Sequence, residues 1–572
     1  METLTWRHKY RYFLWAVMVA CWLIEGFSRR HTILADGVNY LDIASACSKG
    51  DWGALINGYW SPAYSFLLSV MLSIFRPAAA RELIGVHCLN CLILVGALVS
   101  FELFMSGLLA YLPQSASSDG EEFGPPPEWV MRSTGYVLFF WATLYATPPS
   151  LENPDSLVFL LVLLASGFLV RIAAGKSQWL LFASFGATLG LSYLAKAAMF
   201  PVSFVFLCAG LPAAGNIRRA VPRILLALAC FLLVSGPFMF ALSKSKGHFT
   251  FGDAGKINYA EFVNGVPFYI HWQGGPAGAG TPVHPTRKIL ETPPVYEFAT
   301  PLGGSYPPST DQSYWYEGVR AHVEFRGQLN VLRHALDAYF ELSIQLGGLF
   351  AALMMLHSVA PSGTFIRNLL RRYFLWIPSL AAMGLYSLVH VEPRFVSAFV
   401  VLLWAALFSA LWVPCSGSAK SILRPAVAVM IILLGSQIVW AAGHDFLRLL
   451  SRREFPSLEI AQSMAREGIR PGDRVACIGD SPGDHYWAHL AGVTIVAEVP
   501  AEGLPSFLAS GTDLRAQTLS ALSGTGAKAI IAKDLPASIL RDGWKQLGNT
   551  NYSVWLVPRG RTGLISAHPA GT

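Results

Sequence analysis

The chain has 572 residues, of which 53% are hydrophobic and 13% are charged, and its mean hydropathy is +0.45. A soluble globular domain carries about a quarter charged residues, so this composition excludes an ordinary soluble protein and indicates a chain that crosses a membrane several times. The net charge of +7 comes from short basic clusters between apolar runs, a pattern that gives no indication of nucleic-acid binding.

Eleven apolar runs approach the length of about twenty residues that a spanning helix needs. They cover residues 10–28, 83–108, 132–149, 155–172, 178–195, 198–213, 223–243, 336–359, 372–390, 395–413 and 425–442. A further run, 61–76, either spans or lies at the membrane surface. Basic residues collect in cytoplasmic loops, and counting 61–76 as a surface segment places the basic loops on the same side as the basic N-terminus. The sequence therefore predicts eleven spans and a surface-lying 61–76.

This topology places two long polar segments, 29–82 and 244–335, on the outer side of the membrane. The second is rich in Gly, Pro and aromatic residues, and an irregular segment of that length is uncommon unless it is functional. A disordered spacer is the alternative, but the density of Tyr, Trp and Phe argues against it. We expect 244–335 to cover a site at the membrane surface.

The C-terminal region alternates short strand-like runs with helical patterns. The strand-like runs are 473–479, 493–499, 527–534 and 552–558. This alternation predicts a small extracytoplasmic α/β domain, 443–572, after a mainly α-helical, polytopic membrane domain, 1–442.

Charged side chains recur beside the ends of the predicted spans. Asp36 follows the first span and precedes a GDW step and the aromatic run YWSPAYS, which is suited to the membrane interface. Glu152 and Asp155 lie in LENPDS before the fourth span, and HVEPRF separates two later spans. A solvated loop is the simpler interpretation of each turn. Because acids and bases gather on one side, the pattern favours chemistry at an interface.

These motifs resemble those of the GT-C glycosyltransferases, in particular the branch with bacterial aminoarabinose transferases and protein O-mannosyltransferases. The resemblance covers residues 1–440 and rests on the first-loop Asp, the GDW step, the aromatic-Pro segment, the acidic second turn and the late Glu/Arg turn. It implies a multi-pass protein of the cell (inner) membrane that transfers a sugar from a polyprenyl-phosphate donor on the outer side. The acceptor hydroxyl then belongs to a glycolipid, a polysaccharide or a protein.

The resemblance also assigns roles residue by residue. Asp36 matches the catalytic carboxylate of the first external loop, and Asp155, with Glu152, matches the acidic position of the second external turn. Lys196, in YLAKAAMFP, resembles the lysine of a Leu-x-x-Lys-Gly-Pro-like turn. Arg394 matches the arginine of the late turn.

Two departures from the family pattern affect these assignments. Ala197 and Ala198 replace the glycine step that usually follows the lysine. Many relatives carry a second acid directly beside the first-loop Asp, whereas this chain has Gly37. Asp42 or Asp51 is then the candidate for a second carboxylate.

The expected chemistry explains why such groups are needed. An acceptor hydroxyl loses its proton as it attacks the sugar, and Asp36 is the candidate base. The departing phosphate needs positive charge, for which Arg394 and Lys196 are candidates; each is alternatively an interface anchor. His390 and Glu392, which flank Arg394, are additional candidates. In-line attack with one base predicts inversion at the anomeric carbon.

A divalent metal cation is the one cofactor that the sequence suggests. Carboxylate oxygens are suitable ligands, and Glu152, Asp155 and Asp36 are the candidates; Glu152 and Asp155 are alternatively candidates for binding the acceptor. The alternative is a normal helix start, in which Asn153 or Asp155 caps the helix that follows. The sequence leaves both interpretations open.

Two other functions fit parts of the pattern. A transporter or flippase for a lipid-linked substrate would place polar residues near the bilayer midplane, as Glu102 in the second predicted span does, and often shows repeats, which are not visible here. A non-catalytic membrane scaffold would use the C-terminal domain to bind a partner. The expected partners of the transferase are the polyprenyl-phosphate sugar, the acceptor and membrane lipids.

Overall fold

We describe a computed structural model of the chain. It covers residues 2–115, 123–267, 271–298, 300–301, 303–361, 363–415, 418–451, 454–480 and 483–558. Helices dominate these residues, and most of them belong to one large bundle with a single apolar core.

The first half of the bundle contains long helices and several shorter ones that lie between them. They are α1 (Glu2–Ser28), α2 (Ala35–Ser48), α3 (Pro62–Phe75), α4 (Glu82–Ser115), α5 (Glu128–Trp141), α6 (Asp155–Ala173), α7 (Trp179–Ala195), α8 (Met199–Ala213) and α9 (Ile217–Lys246). A π-helical turn, Ala142–Ala146, follows α5.

Three short helices lie in the segment after α9, and the bundle then resumes. The short helices are α10 (Ala254–Phe262), α11 (Pro307–Thr310) and α12 (Gln312–Trp315). The later bundle helices are α13 (Phe325–Gln345), α14 (Gly347–His357), α15 (Thr364–Arg371), α16 (Tyr373–Ser387), α17 (Pro393–Ala410) and α18 (Leu423–Leu450).

Six helices among the described residues are long and apolar enough to cross a membrane, and a seventh span is possible if the bent pair α13 and α14 counts as one. The six are Arg11–Ser28, Ala79–Leu112, Asp155–Ala173, Ile217–Lys246, Pro393–Ala410 and Lys420–Leu450. The predicted count of eleven is therefore not confirmed. The physical reason is length, because α5, α7, α8 and α16 have 14 to 17 residues, fewer than the roughly 20 that the hydrocarbon core requires.

Helix α3 corresponds to the run 61–76. Its 14 residues extend about 21 Å at the usual helical rise, less than a hydrocarbon core of about 30 Å. One side of α3 packs against α2, whereas Phe66, Ile74 and Phe75 are exposed. This geometry is compatible with the predicted position at the membrane surface.

Helix α6 is the central element of the bundle. It packs against α4, α7 and α17, and most of its side chains are buried. A helix that is apolar on all sides belongs inside a helical bundle rather than on its surface. Because α6 is enclosed in this way, its first residue, Asp155, is held in a fixed position at the end of the bundle.

A seven-stranded sheet stands next to the bundle, with strand order β2-β3-β6-β5-β7-β9-β8. Its strands are β2 (Arg287–Leu290), β3 (Val295–Glu297), β5 (Arg474–Ile478), β6 (Thr494–Val499), β7 (Ala529–Lys533), β8 (Lys545–Gln546) and β9 (Tyr552–Leu556); a separate pair joins β1 (Phe123–Gly124) to β4 (Val413–Pro414). The sheet carries α19 (Pro456–Arg466), α20 (Tyr486–Ala491), α21 (Leu504–Ala509), α22 (Thr512–Gly524) and α23 (Ala537–Leu540).

The four strands predicted from the sequence are present as β5, β6, β7 and β9. The sequence did not predict that the hairpin β2–β3, from segment 244–335, would extend the same sheet. β3 pairs antiparallel with β6, so that Tyr296 lies opposite Glu498. Segment 244–335, which we call the external segment after its predicted location, therefore shares one sheet with the C-terminal region. The division into domains at residue 442 stays a prediction.

The external segment also contacts α2 and the chain that follows α2. Asn39 donates to the Ser309 hydroxyl at 2.9 Å, and the indole of Trp60 donates to the Ser309 carbonyl at 2.9 Å. Asn57 donates to the carbonyl of Thr310 at 2.9 Å. These buried contacts fix α11 over the outer face of α2.

Three buried side chains join the C-terminal region to the bundle, and we call them the latch: Asp42, Glu82 and His489. The Nδ1 of His489 lies 2.6 Å from Asp42 Oδ1, and its Nε2 lies 3.1 Å from Glu82 Oε2. Asp42 also accepts the amide of Ser305 at 2.6 Å. Burial alone would lower the pKa of His489, but the charge of Glu82 and the hydrogen bond to Asp42 outweigh it and raise this pKa to about 10.

The latch predicts a pH-dependent stability. His489 has a higher pKa in the folded protein than its ordinary 6.5, so its contribution is complete below about pH 6.5 and is lost as the pH rises towards about 10. We expect His489→Phe to lower the Tm in detergent near pH 6.5, because it leaves two buried carboxylates without their cation. The difference in Tm from wild type should shrink as the pH approaches 10.

The exposed His322, which lies in the external segment outside the latch, supplies the control. His322→Phe should leave the Tm close to that of wild type at every pH. A constant difference between wild type and His489→Phe from pH 6.5 to 10 would contradict the role given to the latch.

Candidate functional site

Four helix ends meet at the end of the bundle that faces the external segment. Asp36 lies in the first turn of α2, Asp155 begins α6, and Arg394 lies in the first turn of α17. Lys196 follows the last residue of α7. We call Asp36, Asp155, Lys196, Glu392 and Arg394 the rim cluster.

The structure separates two roles that the sequence left open at the start of α6. Pro154 is the N-cap residue, and the side chain of Asn153 before it accepts the backbone N–H of Asp155 at 3.0 Å, which satisfies the first N–H of the helix. The carboxylate of Asp155 is instead directed at cations. Lys196 Nζ donates to its Oδ1 at 2.5 Å, and Arg394 Nε lies 3.7 Å from its Oδ2.

Arg394 is the centre of the rim cluster. Its Nε donates to Glu392 Oε2 at 2.6 Å, and its Nη2 donates to Glu392 Oε1 at 3.3 Å, which is a two-point contact. Its Nη2 also lies 3.4 Å from Asp36 Oδ2. One guanidinium therefore contacts three carboxylates from three different turns. Asp36 and Arg394, which are 358 positions apart, face the same side of the bundle.

Aromatic rings surround the two cations. Lys196 Nζ lies 3.7 Å from the ring centroid of Phe395, and Arg394 lies 4.9 Å from the same centroid. His390 is 3.2 Å from Glu392 and stacks on Phe262 of α10, with ring centroids 4.4 Å apart. The external segment thus reaches the rim cluster directly at this stack.

Burial and charge set the ionisation of these groups. Burial raises the pKa of Asp36, which the charge of Arg394 partly offsets. Burial lowers the pKa of the Lys196 ammonium, against the effect of Asp155. Burial alone would raise the pKa of Glu392, but the hydrogen bond from His390 and the charge of Arg394 outweigh burial and lower this pKa to about 2. Glu392 is therefore ionised at neutral pH, and Asp36 is a stronger base than an exposed aspartate.

The other predicted site residues lie elsewhere. Glu152 is fully buried against His87, whose Nε2 is 2.7 Å from Glu152 Oε1. Asp42 belongs to the latch. Asp51 is exposed and caps a 3₁₀ turn by accepting the N–H of Gly53 at 3.1 Å. The structure thus brings together Asp36 and Asp155, but neither candidate for the second first-loop carboxylate joins them.

The rim cluster does not fit a divalent cation in this arrangement. The Asp36 and Asp155 carboxylates share the guanidinium of Arg394, and Asp155 also holds the Lys196 ammonium. Two positive side chains thus occupy the coordination directions that a metal would need. Within the described ranges, no group of three or more His, Cys, Asp or Glu side chains is arranged to hold a metal ion.

Several contacts of the site had no signal in the sequence. His87 lies within the apolar run of α4, and Phe262 lies in the external segment, so only the tertiary structure brings them to Glu152 and His390. Phe395 follows Arg394 directly, and an aromatic residue beside a basic one at a helix start was a usable indication of cation–π contact.

Glu102, the residue that favoured transport, lies far from the rim cluster along α4. Its carboxylate pairs with Arg132 of α5 at 3.2 Å and with Arg11 of α1 at 3.9 Å, and it accepts the hydroxyl of Tyr136. These contacts give Glu102 a structural role in joining α1, α4 and α5, so its position within an apolar helix does not require a role in transport.

No family model matches the sequence, and a search of curated proteins gives no match. Solved structures do match. ArnT from Cupriavidus metallidurans bound to undecaprenyl phosphate superposes with a TM-score of 0.56 at 11% identity, over 96% of this chain and 97% of that one. The apo state of the same protein gives 0.54 at 11% identity, over 96% and 98%. The likeness extends over nearly the whole of both chains, and the protein has the GT-C fold that its motifs predicted.

Proposed function

We propose that this protein is an integral-membrane glycosyltransferase that moves a sugar from a polyprenyl-phosphate donor to an acceptor hydroxyl, with inversion, on the outer side of the membrane. The observation that carries the proposal is the rim cluster, in which two cations and a buried carboxylate meet at the mouth of the apolar bundle.

The lipid-linked donor is supported by the fold and by the surroundings of the cluster. ArnT, which shares the fold, was crystallised with undecaprenyl phosphate. In this chain the phosphate of such a lipid would lie at the water interface while its chain stays among apolar helices. The exposed apolar side of α3, with Phe66, Ile74 and Phe75, begins beside the cluster-bearing α2 and offers a surface for that chain.

Arg394 and Lys196 are the proposed phosphate ligands. The contacts of Arg394 with Asp36 and Asp155 are long, at 3.4 and 3.7 Å, so phosphate oxygens can compete for the same donors. Charge-assisted bonds from a guanidinium to phosphate are strong and directional. Because Glu392 holds one edge of Arg394, the guanidinium is oriented before the substrate arrives, and this orientation lowers the cost of stabilising the departing phosphate.

Asp36 is the proposed base. Its carboxylate lies 3.4 Å from the proposed phosphate ligand Arg394, so an acceptor hydroxyl that donates to Asp36 would lie close to the sugar of a donor held at Arg394. The pKa that burial raises brings Asp36 closer to the basicity that proton transfer needs at neutral pH. Asp155 keeps Lys196 in place rather than taking part in proton transfer.

The base assignment predicts a large effect of one isosteric change. Asp36→Asn keeps the shape of the side chain and one oxygen that can accept from Arg394, but it cannot take up the proton. We expect kcat to fall by about 10²- to 10⁴-fold, while the KM for the donor stays close to wild type. Transfer of radiolabelled sugar from polyprenyl phosphate by the purified protein measures both constants.

Asp51→Asn is the matched control, because Asp51 is an exposed aspartate that lies, like Asp36, in segment 29–82 but outside the rim cluster. It should retain the wild-type kcat. Full activity of Asp36→Asn would exclude this residue as the base.

The phosphate assignment predicts a different kinetic change. Arg394→Lys keeps one positive charge but loses the planar two-point contact with Glu392 and with phosphate. We expect the KM for the donor to rise and kcat to fall, each by about tenfold or more. Arg30→Lys, outside the rim cluster at the end of α1, should change neither constant. Unchanged donor KM in Arg394→Lys would contradict phosphate binding by Arg394.

The proposed sidedness can be tested by labelling in intact cells. In a background without the native cysteines, Asp51→Cys should react with a membrane-impermeant maleimide from outside. Lys176→Cys, in the exposed turn between α6 and α7, should react only after permeabilisation. Labelling of both positions from the same side would contradict the proposed topology.

A further inference from the structure

A buried polar pair lies directly behind the first turn of α2, outside the rim cluster. Glu152 is 0% exposed and His87 is 3% exposed. Unpaired ionisable groups at such burial are strongly destabilising, so their retention requires complete hydrogen bonding. The proposed chemistry gives neither side chain a role.

The pair belongs to a chain of hydrogen bonds through four elements. His87 Nδ1 lies 2.7 Å from the carbonyl of Gly26 in α1, and its Nε2 lies 2.7 Å from Glu152 Oε1. Glu152 Oε2 accepts the N–H of Leu34 at 3.1 Å. Leu34 is the N-cap of α2, and its N–H has no acceptor within the helix. Glu152 accepts this N–H from a distant part of the chain, as the Glu of a capping box does from the first turn of the helix itself.

The protons of this chain can be counted. The Gly26 carbonyl only accepts, so Nδ1 of His87 carries a hydrogen. One further proton lies between Nε2 and Glu152 Oε1, either on an imidazolium that faces a carboxylate or on a carboxylic acid that faces a neutral ring. In both forms Oε2 remains an acceptor for Leu34. The support of α2 is therefore independent of where this proton resides.

The backbone of α2 at Gly37 also packs closely against the side chain of Glu152. A Cβ placed on Gly37 would lie 2.7 Å from the Cβ of Glu152 and 3.2 Å from its Oε2. Ile33 Cγ1 would lie 2.9 Å away on the chain before α2. A side chain at position 37 would therefore displace Glu152, Ile33 or α2, which explains why the position next to Asp36 carries no second acid in this chain.

We propose that Glu152 and His87 are positioning residues that fix the first turn of α2, and with it the carboxylate of Asp36, for proton transfer. Asp36 lies two residues beyond Leu34 and directly before Gly37, so both contacts of Glu152 flank it. The inference rests on the proposed role of Asp36 as the base. It assigns Glu152 to the support of the site rather than to a metal or acceptor.

The test compares three variants by kcat, donor KM and Tm. Glu152→Leu removes both hydrogen bonds and should lower kcat by about 10- to 100-fold with an unchanged donor KM, because Arg394 and Lys196 are untouched. Glu152→Gln should retain kcat within about threefold, since its amide oxygen can accept Leu34 and its amide nitrogen can donate to neutral His87. Gly37→Ala should lower kcat as Glu152→Leu does, because its methyl group pushes α2 away from Glu152.

Gly443→Ala, at a glycine of α18 with open space around its Cβ, is the control for a glycine substitution and should have no effect on kcat. If Glu152→Leu does not fold, Glu152→Gln and Gly37→Ala still decide the question. A folded Gly37→Ala with wild-type kcat would overturn the inference. So would a folded Glu152→Gln with less than a tenth of wild-type kcat, since charge rather than position would then matter.

The comparison with Asp36→Asn separates this inference from the proposed function. If Asp36→Asn is inactive while Glu152→Leu and Gly37→Ala keep wild-type kcat, only the positioning role fails. If Asp36→Asn is fully active, the proposed base fails, and the positioning role fails with it.

Discussion

The ion pairs of Arg394 with carboxylates from three separate turns are the constraint on which the rest of the site depends. A guanidinium cannot lose its proton, so it must be compensated wherever the fold encloses it. Asp36, Asp155 and Glu392 supply that compensation from α2, α6 and the turn before α17. The ends of these helices are therefore brought to a common point. The same contacts hold Asp36, which we propose as the base, next to the two cations Arg394 and Lys196.

Much of the site was visible in the sequence because its residues stand beside apolar runs. Asp36, Asp155, Lys196 and Arg394 each mark the end of a helix, and the charge pattern placed them on one face. Their individual contacts, such as Lys196 with Asp155 and Arg394 with Asp36, were not predicted from the sequence. The position of Glu152 could not be predicted, because it depends on His87, a single histidine inside an apolar helix whose partner is 65 residues away.

The fold was less predictable in its helix count and in its sheet. Hydropathy identifies apolar runs, but it does not show where the helix within a run begins and ends. The helices α5, α7, α8 and α16 are shorter than the apolar runs to which they correspond. The strands β5, β6, β7 and β9 had clear apolar patterns. The hairpin β2–β3 did not, since Arg287–Leu290 and Val295–Glu297 are short and partly polar. Its place in the sheet is decided by the pairing of β3 with β6, which leaves β2 at the edge.

That shared sheet limits how the site can be uncovered. A covering loop attached only at its two ends can swing aside by itself, but here β3 is bonded to β6, and His271 of the same segment lies 2.7 Å from Glu498 of β6. Peeling the segment away would break a sheet edge and expose a buried carboxylate. A movement of segment 244–335 that keeps these contacts must therefore carry the C-terminal sheet with it as one body.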